Sequence, residues 1–157
     1  MDFLKAEKNE MEIIRSLYKG AIGTMGCTWS EEYPAMEHTL GDIQRGDLFC
    51  LKDESGTIIG AISIDDDKEV EALTCWSKNG AELSRLVVAE KCQNQGLAGY
   101  MLRKSMEVLK QRGYEYVHFL VSKDHVKALK AYEKLEFNSV GESDLYGGNW
   151  WCYEKKL

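Results

Sequence analysis

The chain is short of several things that would each fix its class. Its 157 residues include one proline, Pro34, and neither internal repeats nor a low-complexity linker. No apolar run is long enough to span a bilayer. The start, MDFLKAEKNE, lacks a basic segment leading into an apolar one, so no signal peptide is expected and the cytoplasm is the expected home. The three histidines, His38, His118 and His125, form no HxxxH pair, and the five cysteines have no CxxC spacing. Neither a disulfide framework nor a metal site is expected; the cysteines read as thiols in a reducing compartment. Lys and Arg are outnumbered 20 to 26 by Asp and Glu, for a formal net charge of −6. Nucleic acid is therefore an unfavoured partner, because phosphate contacts require Lys and Arg. The acidic clusters Glu31–Glu32 and Asp65–Asp67 read as solvated loop faces, with attraction of a cationic substrate as the sharper alternative.

What is present describes one globular domain spanning 1–157, with 44% hydrophobic and 29% charged residues. A short strand over 2–6 precedes a helix from about 9 to 21, where Met11, Ile13, Ile14, Leu17 and Tyr18 recur at helical spacing. A loop over 23–34 and a second helix over 35–44 follow. Residues 48–53 and 57–65 read as a hairpin, and 65–80 as irregular. A strand over 82–90 leads into a turn and a helix to about Arg112, whose wide apolar stripe reads as core. The segment 115–122 reads as a central strand buried on both faces. Asp124 is the expected N-cap of a helix over 125–135. Two strands, 137–146 and 149–156, close the chain around Gly147–Gly148.

The stretch QNQGLAG, residues 93–99, places a side-chain-poor turn at a helix start. The first N–H groups of a helix lack intrahelical partners, and with the helix dipole they favour an anion. Gly96 lets a phosphate approach the backbone. Asn94 tolerates positive φ, and Gln93 and Gln95 carry amide donors. Neither GxxxxGK(S/T) nor GxGxxG is present, so the common nucleotide loops do not apply.

The pattern that stands is Q-x-x-G-x-A, as Gln93, Gly96 and Ala98. It resembles the acyl-CoA-binding motif of the GCN5-related N-acetyltransferase (GNAT) superfamily. The strand before it, LVVAEKCQNQG, is similar to that family's fourth strand and turn. The segment HVKALKAYEKLEF, residues 125–137, is similar to N-x-x-A-x-x-x-Y-x-x-x-G-F, matching at Ala128, Tyr132 and Phe137 and departing at His125 and Glu136.

The resemblance implies an α/β (α+β) fold: a mixed, mostly antiparallel central sheet, its central parallel strands diverging, flanked by helices. It implies acetyl-CoA as acyl donor, held by the main chain of Leu86, Val87 and Val88. The turn from Gln93 through Asn94, Gln95, Gly96, Leu97 and Ala98 to Gly99 would hold the pyrophosphate, with His125 and Tyr132 nearby. It implies direct attack by a primary amine: Glu82 as general base, the Leu86 N–H for the oxyanion, Tyr132 as general acid. Strand alternation places Glu82, Ser84, Leu86 and Val88 on one face. Trp29, Tyr33, Glu82 and Ser84 are the expected acceptor contacts, with Trp76, Trp150 and Trp151 as further aromatic candidates. The acceptor is expected to be a small amine or a peptide, and the protein a monomer or homodimer. A non-catalytic acyl-CoA sensor and a nucleotide-binding module are the competing expectations.

Overall fold

A computed structural model describes residues 1–157. Seven strands form one sheet in the order β1-β2-β3-β4-β5-β7-β6. They are β1 (Asp2–Lys5), β2 (Leu48–Lys52), β3 (Ile58–Asp65), β4 (Gly80–Val88), β5 (Tyr116–Ser122), β6 (Asn138–Ser143) and β7 (Trp150–Lys156). Every neighbouring pair is antiparallel except β4 and β5. The last strand inserts between β5 and β6. No helix is long and apolar enough to cross a membrane.

The helices are α1 (Met11–Ala21), α2 (Met36–Gln44), α3 (Lys68–Glu71), α4 (Leu97–Gln111) and α5 (Val126–Lys134). On one face of the sheet, Ile14 and Tyr18 of α1 pack with Leu48, Cys50, Ala61 and Val87. On the other, Leu97, Met101, Leu102 and Leu109 of α4 and Ala128 of α5 pack with Ala81, Leu83, Val117, Phe119 and Tyr153. Spacings of three and four residues along α4 deliver this stripe. The polar group within it, Ser105, is fully buried and donates to the Met101 carbonyl at 2.8 Å.

Three local readings are corrected. The 65–80 segment contains α3, because Asp67 accepts from the Glu69 and Val70 N–H groups and caps a helical turn. Asp124 caps nothing; α5 begins after His125, and the Asp124 N–H itself donates to Ser122 Oγ at 3.3 Å. The third correction concerns β4. Val87 opposes Ala61 and Ser84 opposes Ser63, so Arg85 and Leu86 together face the single residue Ile62. This is a β-bulge, with Arg85 at φ 50°. It shifts the alternation by one. Ala81, Leu83, Leu86 and Val88 lie on the α4 face, and Val87 on the α1 face. Glu82 and Ser84 therefore do not share a face with Leu86 and Val88.

Candidate active site

Strands β4 and β5 are in register only at Gly80–Tyr116, Ala81–Val117 and Glu82–His118. Beyond that point β4 continues to Val88 and β5 to Ser122 without pairing, so the two strands part and open a fork. At its mouth the chain leaves β4 through a turn and enters α4. Asn94 and Gly96 have φ of 63° and 75°, and the space a Cβ would take at Gly96 is open to 4 Å. Only glycine occupies that conformation without strain. Gly96 is the residue before α4, so the N–H groups of Leu97, Ala98 and Gly99 begin the helix without intrahelical acceptors. The turn fits a diphosphate on these grounds. Gln93 is engaged otherwise: its N–H donates to the Glu90 carbonyl and its side-chain amide to the Val88 carbonyl, both at 3.3 Å. Lys127, from α5, hydrogen-bonds the Asn94 side chain and brings a positive charge to the turn. A cleft of about 540 Å³ runs from Leu17, Gly20 and Thr24 along Val88 and Ala89 to Gln93.

One row of ionisable side chains crosses the α1 face. Asp65 of β3 pairs with Glu82 of β4, Glu82 with His118 of β5, and His118 with Glu154 of β7. Asp65 and Glu154 are satisfied, and His118 is so at one ring nitrogen, its buried Nδ1 having no partner. Asp65 accepts from Arg85 Nη1 at 3.0 Å. His118, fully buried, shares a 2.6 Å hydrogen bond through Nε2 with Glu71 and stacks on Trp76 at 4.3 Å. Gly80 makes room for that imidazole: a Cβ there would stand 2.9 Å from His118 Nδ1. Glu154 accepts from the Ser77 N–H and Oγ at 2.6 and 2.8 Å. Glu82 differs. It is 6% exposed, and its Oε1 is buried without a hydrogen-bond partner. Burial, then the nearby Asp65 and Asp67 carboxylates, holds its carboxyl well above the ordinary range.

Arg85, at the bulge, is the organiser that composition could not reveal. It is 6% exposed. Its Nε and Nη2 donate to the two oxygens of Asp42, each at 2.9 Å, and Nη1 donates to the Tyr33 hydroxyl at 2.9 Å. One guanidinium thus ties α2, β3, β4 and the 23–34 loop together. Burial pushes the Asp65 carboxyl up, but the Arg85 charge and hydrogen bond outweigh it and hold it below its usual value. The only sequence signal was a polar residue, Asp42, on the inner side of a short amphipathic helix.

Tyr132 lies on the opposite face. Its ring packs on Phe119 at 4.6 Å, Phe137 at 6.1 Å and Tyr153 at 6.3 Å. Burial pushes its phenol up to about 12. His125 stands against the 23–34 loop, where a Cβ on Gly26 would come within 2.4 Å of the imidazole. Of the expected acceptor contacts, Tyr33, Glu82 and Ser84 share the α1 face around Arg85. Trp29 instead packs edge-on against Tyr18 at 5.3 Å. Trp150 donates to the Leu145 carbonyl at 2.7 Å, and Trp151 lies under Lys123. The 65–67 cluster is not a uniformly solvated face: Asp65 and Asp67 have carboxylate oxygens within 4.8 Å of each other and of Glu82. Asp66 turns outward to Arg45 at 3.4 Å.

A mixed sheet that forks between its parallel strands, with a glycine-entered helix at the fork, is the scaffold of an acyl-CoA-dependent transferase. Residues 14–137 match the model of the Acetyltransferase (GNAT) family, and the chain belongs to that family. It is 27% identical over 135 residues to GCN5-related N-acetyltransferase 6, chloroplastic, of Arabidopsis thaliana, across 85% of this chain. The chain spans 39% of that relative's length. Solved structures share the fold at low identity. A GNAT-family acetyltransferase from Streptococcus agalactiae superposes with a TM-score of 0.81 at 18% identity, over 99% of this chain and 95% of that one. The yncA protein from Salmonella typhimurium, solved with its cofactor acetyl-CoA, gives 0.79 at 15%, over 100% and 94%. Ribosomal-protein-alanine N-acetyltransferase from Brucella melitensis gives 0.79 at 15%, over the whole of both chains.

Proposed function

We propose that the protein transfers an acetyl group from acetyl-CoA to a primary amine by direct attack. The observation that carries this reading is the partnerless, buried carboxyl of Glu82, set where β4 and β5 begin to part. A base for amine acylation must take a proton from an ammonium of pKa near ~10. A carboxyl held well above its ordinary range is better matched to that task than an exposed one.

Glu82 and Tyr132 belong to opposite faces of the sheet, and the fork joins those faces. An amine entering from the α1 face gives its proton to Glu82. Its lone pair then attacks the thioester carbon, and the carbonyl electrons move to oxygen. The Leu86 N–H, at the bulge, is the proposed donor to that oxyanion. Collapse re-forms the carbonyl and breaks the C–S bond. The leaving thiolate takes the Tyr132 proton, which a phenol can supply because it stays protonated at neutral pH, and the acylated nitrogen sheds its second proton, which restores Tyr132. The products are an N-acetylated amine, free CoA thiol and one proton. The turn from Asn94 to Gly99 holds the diphosphate, and Tyr33 and Ser84 line the acceptor path.

The test is thiol release from acetyl-CoA against a panel of amines, run beside calorimetry with CoA. Amine-dependent release with CoA binding supports the reading. CoA binding with no release for any amine would replace it with a sensor, and competition by ATP rather than CoA would replace it with a nucleotide module.

A further inference from the structure

The mechanism above uses Glu82 and leaves its two acidic neighbours without a role. Asp65, Asp67 and Glu82 bring one carboxylate oxygen each within 4.8 Å of the others. Neither Asp67 nor Glu82 takes part in an ion pair, and the one cation that reaches Asp65, Arg85, is also held by both oxygens of Asp42. Glu82 is more than nine-tenths buried and presents a partnerless oxygen to this group. Like charges gathered this way repel, which a proton on Glu82 relieves at rest and an incoming cation relieves as well. Tyr146 closes the far side. At φ 58°, a conformation uncommon outside glycine, its hydroxyl reaches from the 145–147 turn to both oxygens of Asp67, at 2.9 and 2.7 Å.

Asp65 Oδ1 accepts from the Asp66 N–H and Oδ2 from Arg85; Asp67 Oδ1 accepts from two N–H groups and Tyr146, and its Oδ2 from Tyr146 alone. A carboxylate has about four acceptor sites, so Asp65 and Asp67 both keep free ones. An ammonium has three donors to place on them. It is also the cation that an amine-acylating reaction itself brings to this group, whereas a divalent ion would need water to complete its six or more ligands. The ammonium is not the reacting one. Two fixed carboxylates around the attacking nitrogen would favour its charged form and oppose loss of its proton. The pair suits a nitrogen that stays charged while its neighbour reacts.

We propose that Asp65 and Asp67 form a cation subsite beside Glu82, and that the acceptor is a short diamine or polyamine whose second ammonium docks there. The substrate class rests on the amine acylation argued above; the subsite itself does not. The decisive comparison keeps the chain length constant and changes only the far end. It uses 1,4-diaminobutane, butylamine and 4-aminobutanoate with acetyl-CoA. The expected order of kcat/KM is diamine, then monoamine, then amino acid, with about tenfold or more separating diamine from monoamine. In Asp67→Asn, where the amide still caps α3, the diamine-to-monoamine ratio falls toward one. Equal or better turnover of butylamine or 4-aminobutanoate by the unaltered protein overturns the proposal while leaving amine acylation standing. Calorimetry with 1,4-diaminobutane and no acetyl-CoA reads the subsite apart from turnover. Binding that Asp67→Asn weakens supports it even if no amine is acylated, and no binding to the unaltered protein overturns it.

Discussion

Replacing Glu82 with glutamine separates two consequences of one buried carboxyl. The first is kinetic. Glu82 must be ionised to accept a proton, so kcat/KM rises with pH through its folded pKa. That value is raised by burial, by Asp65 on β3, by Asp67 at the α3 cap and by Glu71 on α3, with Arg85 opposing them. The acid limb therefore lies well above the ordinary carboxylate range. The Glu82→Gln protein loses that limb, and its rate drops by about 10²–10⁴-fold, the scale of general base catalysis. The second consequence is thermodynamic. In the unfolded chain Glu82 ionises in the usual range; in the fold it keeps its proton to higher pH. Between the two values the native state binds more protons. Its contribution is fully present below the unfolded pKa and is lost as pH rises through the folded one. An amide escapes that loss, although it too leaves a polar group unpaired there; each kcal/mol of the difference moves the melting temperature by roughly 2–4 °C at this chain length. The variant should melt several degrees above the unaltered protein at mildly alkaline pH, and the gap should close on acidification. Two assays suffice: thiol release across pH, and melting curves across the same buffers. An unaltered-protein limb in the ordinary carboxylate range, or a variant that keeps both rate and limb, refutes the reasoning.

Two further outcomes follow from the same geometry. Tyr132→Phe removes a hydroxyl that makes no hydrogen bond within the chain and leaves the ring packing on Phe119 and Phe137. The melting temperature should hold while kcat falls by about 10²–10⁴-fold, and unchanged kcat would take Tyr132 out of the mechanism. Arg85→Met takes from Asp65 its one cation and from Asp42 one of two guanidinium partners, while Arg45 Nη2 at 2.9 Å and Ser63 Oγ at 2.7 Å still hold Asp42; it should cost about 1.5–3 kcal/mol in denaturant titration. Tyr33→Phe removes one bond from the same guanidinium and should cost only about 0.5–1.5 kcal/mol. A larger loss from Tyr33→Phe than from Arg85→Met would show that the bridge to the loop, not Asp42, is what Arg85 supplies.

Much of this architecture was legible because it is local. The spacing of Ile14 and Tyr18, the stripe along α4 and the apolar run of β5 each report their own burial. The glycine turn was legible because Gly96 sits where only a permissive residue fits. The bulge was not, since it is a property of two strands: nothing within 82–88 says that Arg85 and Leu86 share one partner on β3. Missing it put Glu82 and Ser84 on the wrong side relative to Leu86 and Val88. The Arg85–Asp42 pair joins residues 43 positions apart, and the His118–Glu71 bond joins residues 47 apart. Neither has a signature along the chain. Asp67 looked like one more charge in a loop because its partners, Tyr146 and the α3 amides, meet it only after folding.

The parting of β4 from β5 after three registered pairs leaves a seam in the middle of the sheet rather than at its rim. Interior strands normally satisfy each other's peptide groups; here a stretch of each faces a gap that an extended arm of suitable polarity can bridge. A molecule lying there becomes, in effect, an eighth member of the ladder. Fastening the two halves of the sheet and presenting a reactive group would then be one event, and the protein should be at its most rigid when loaded.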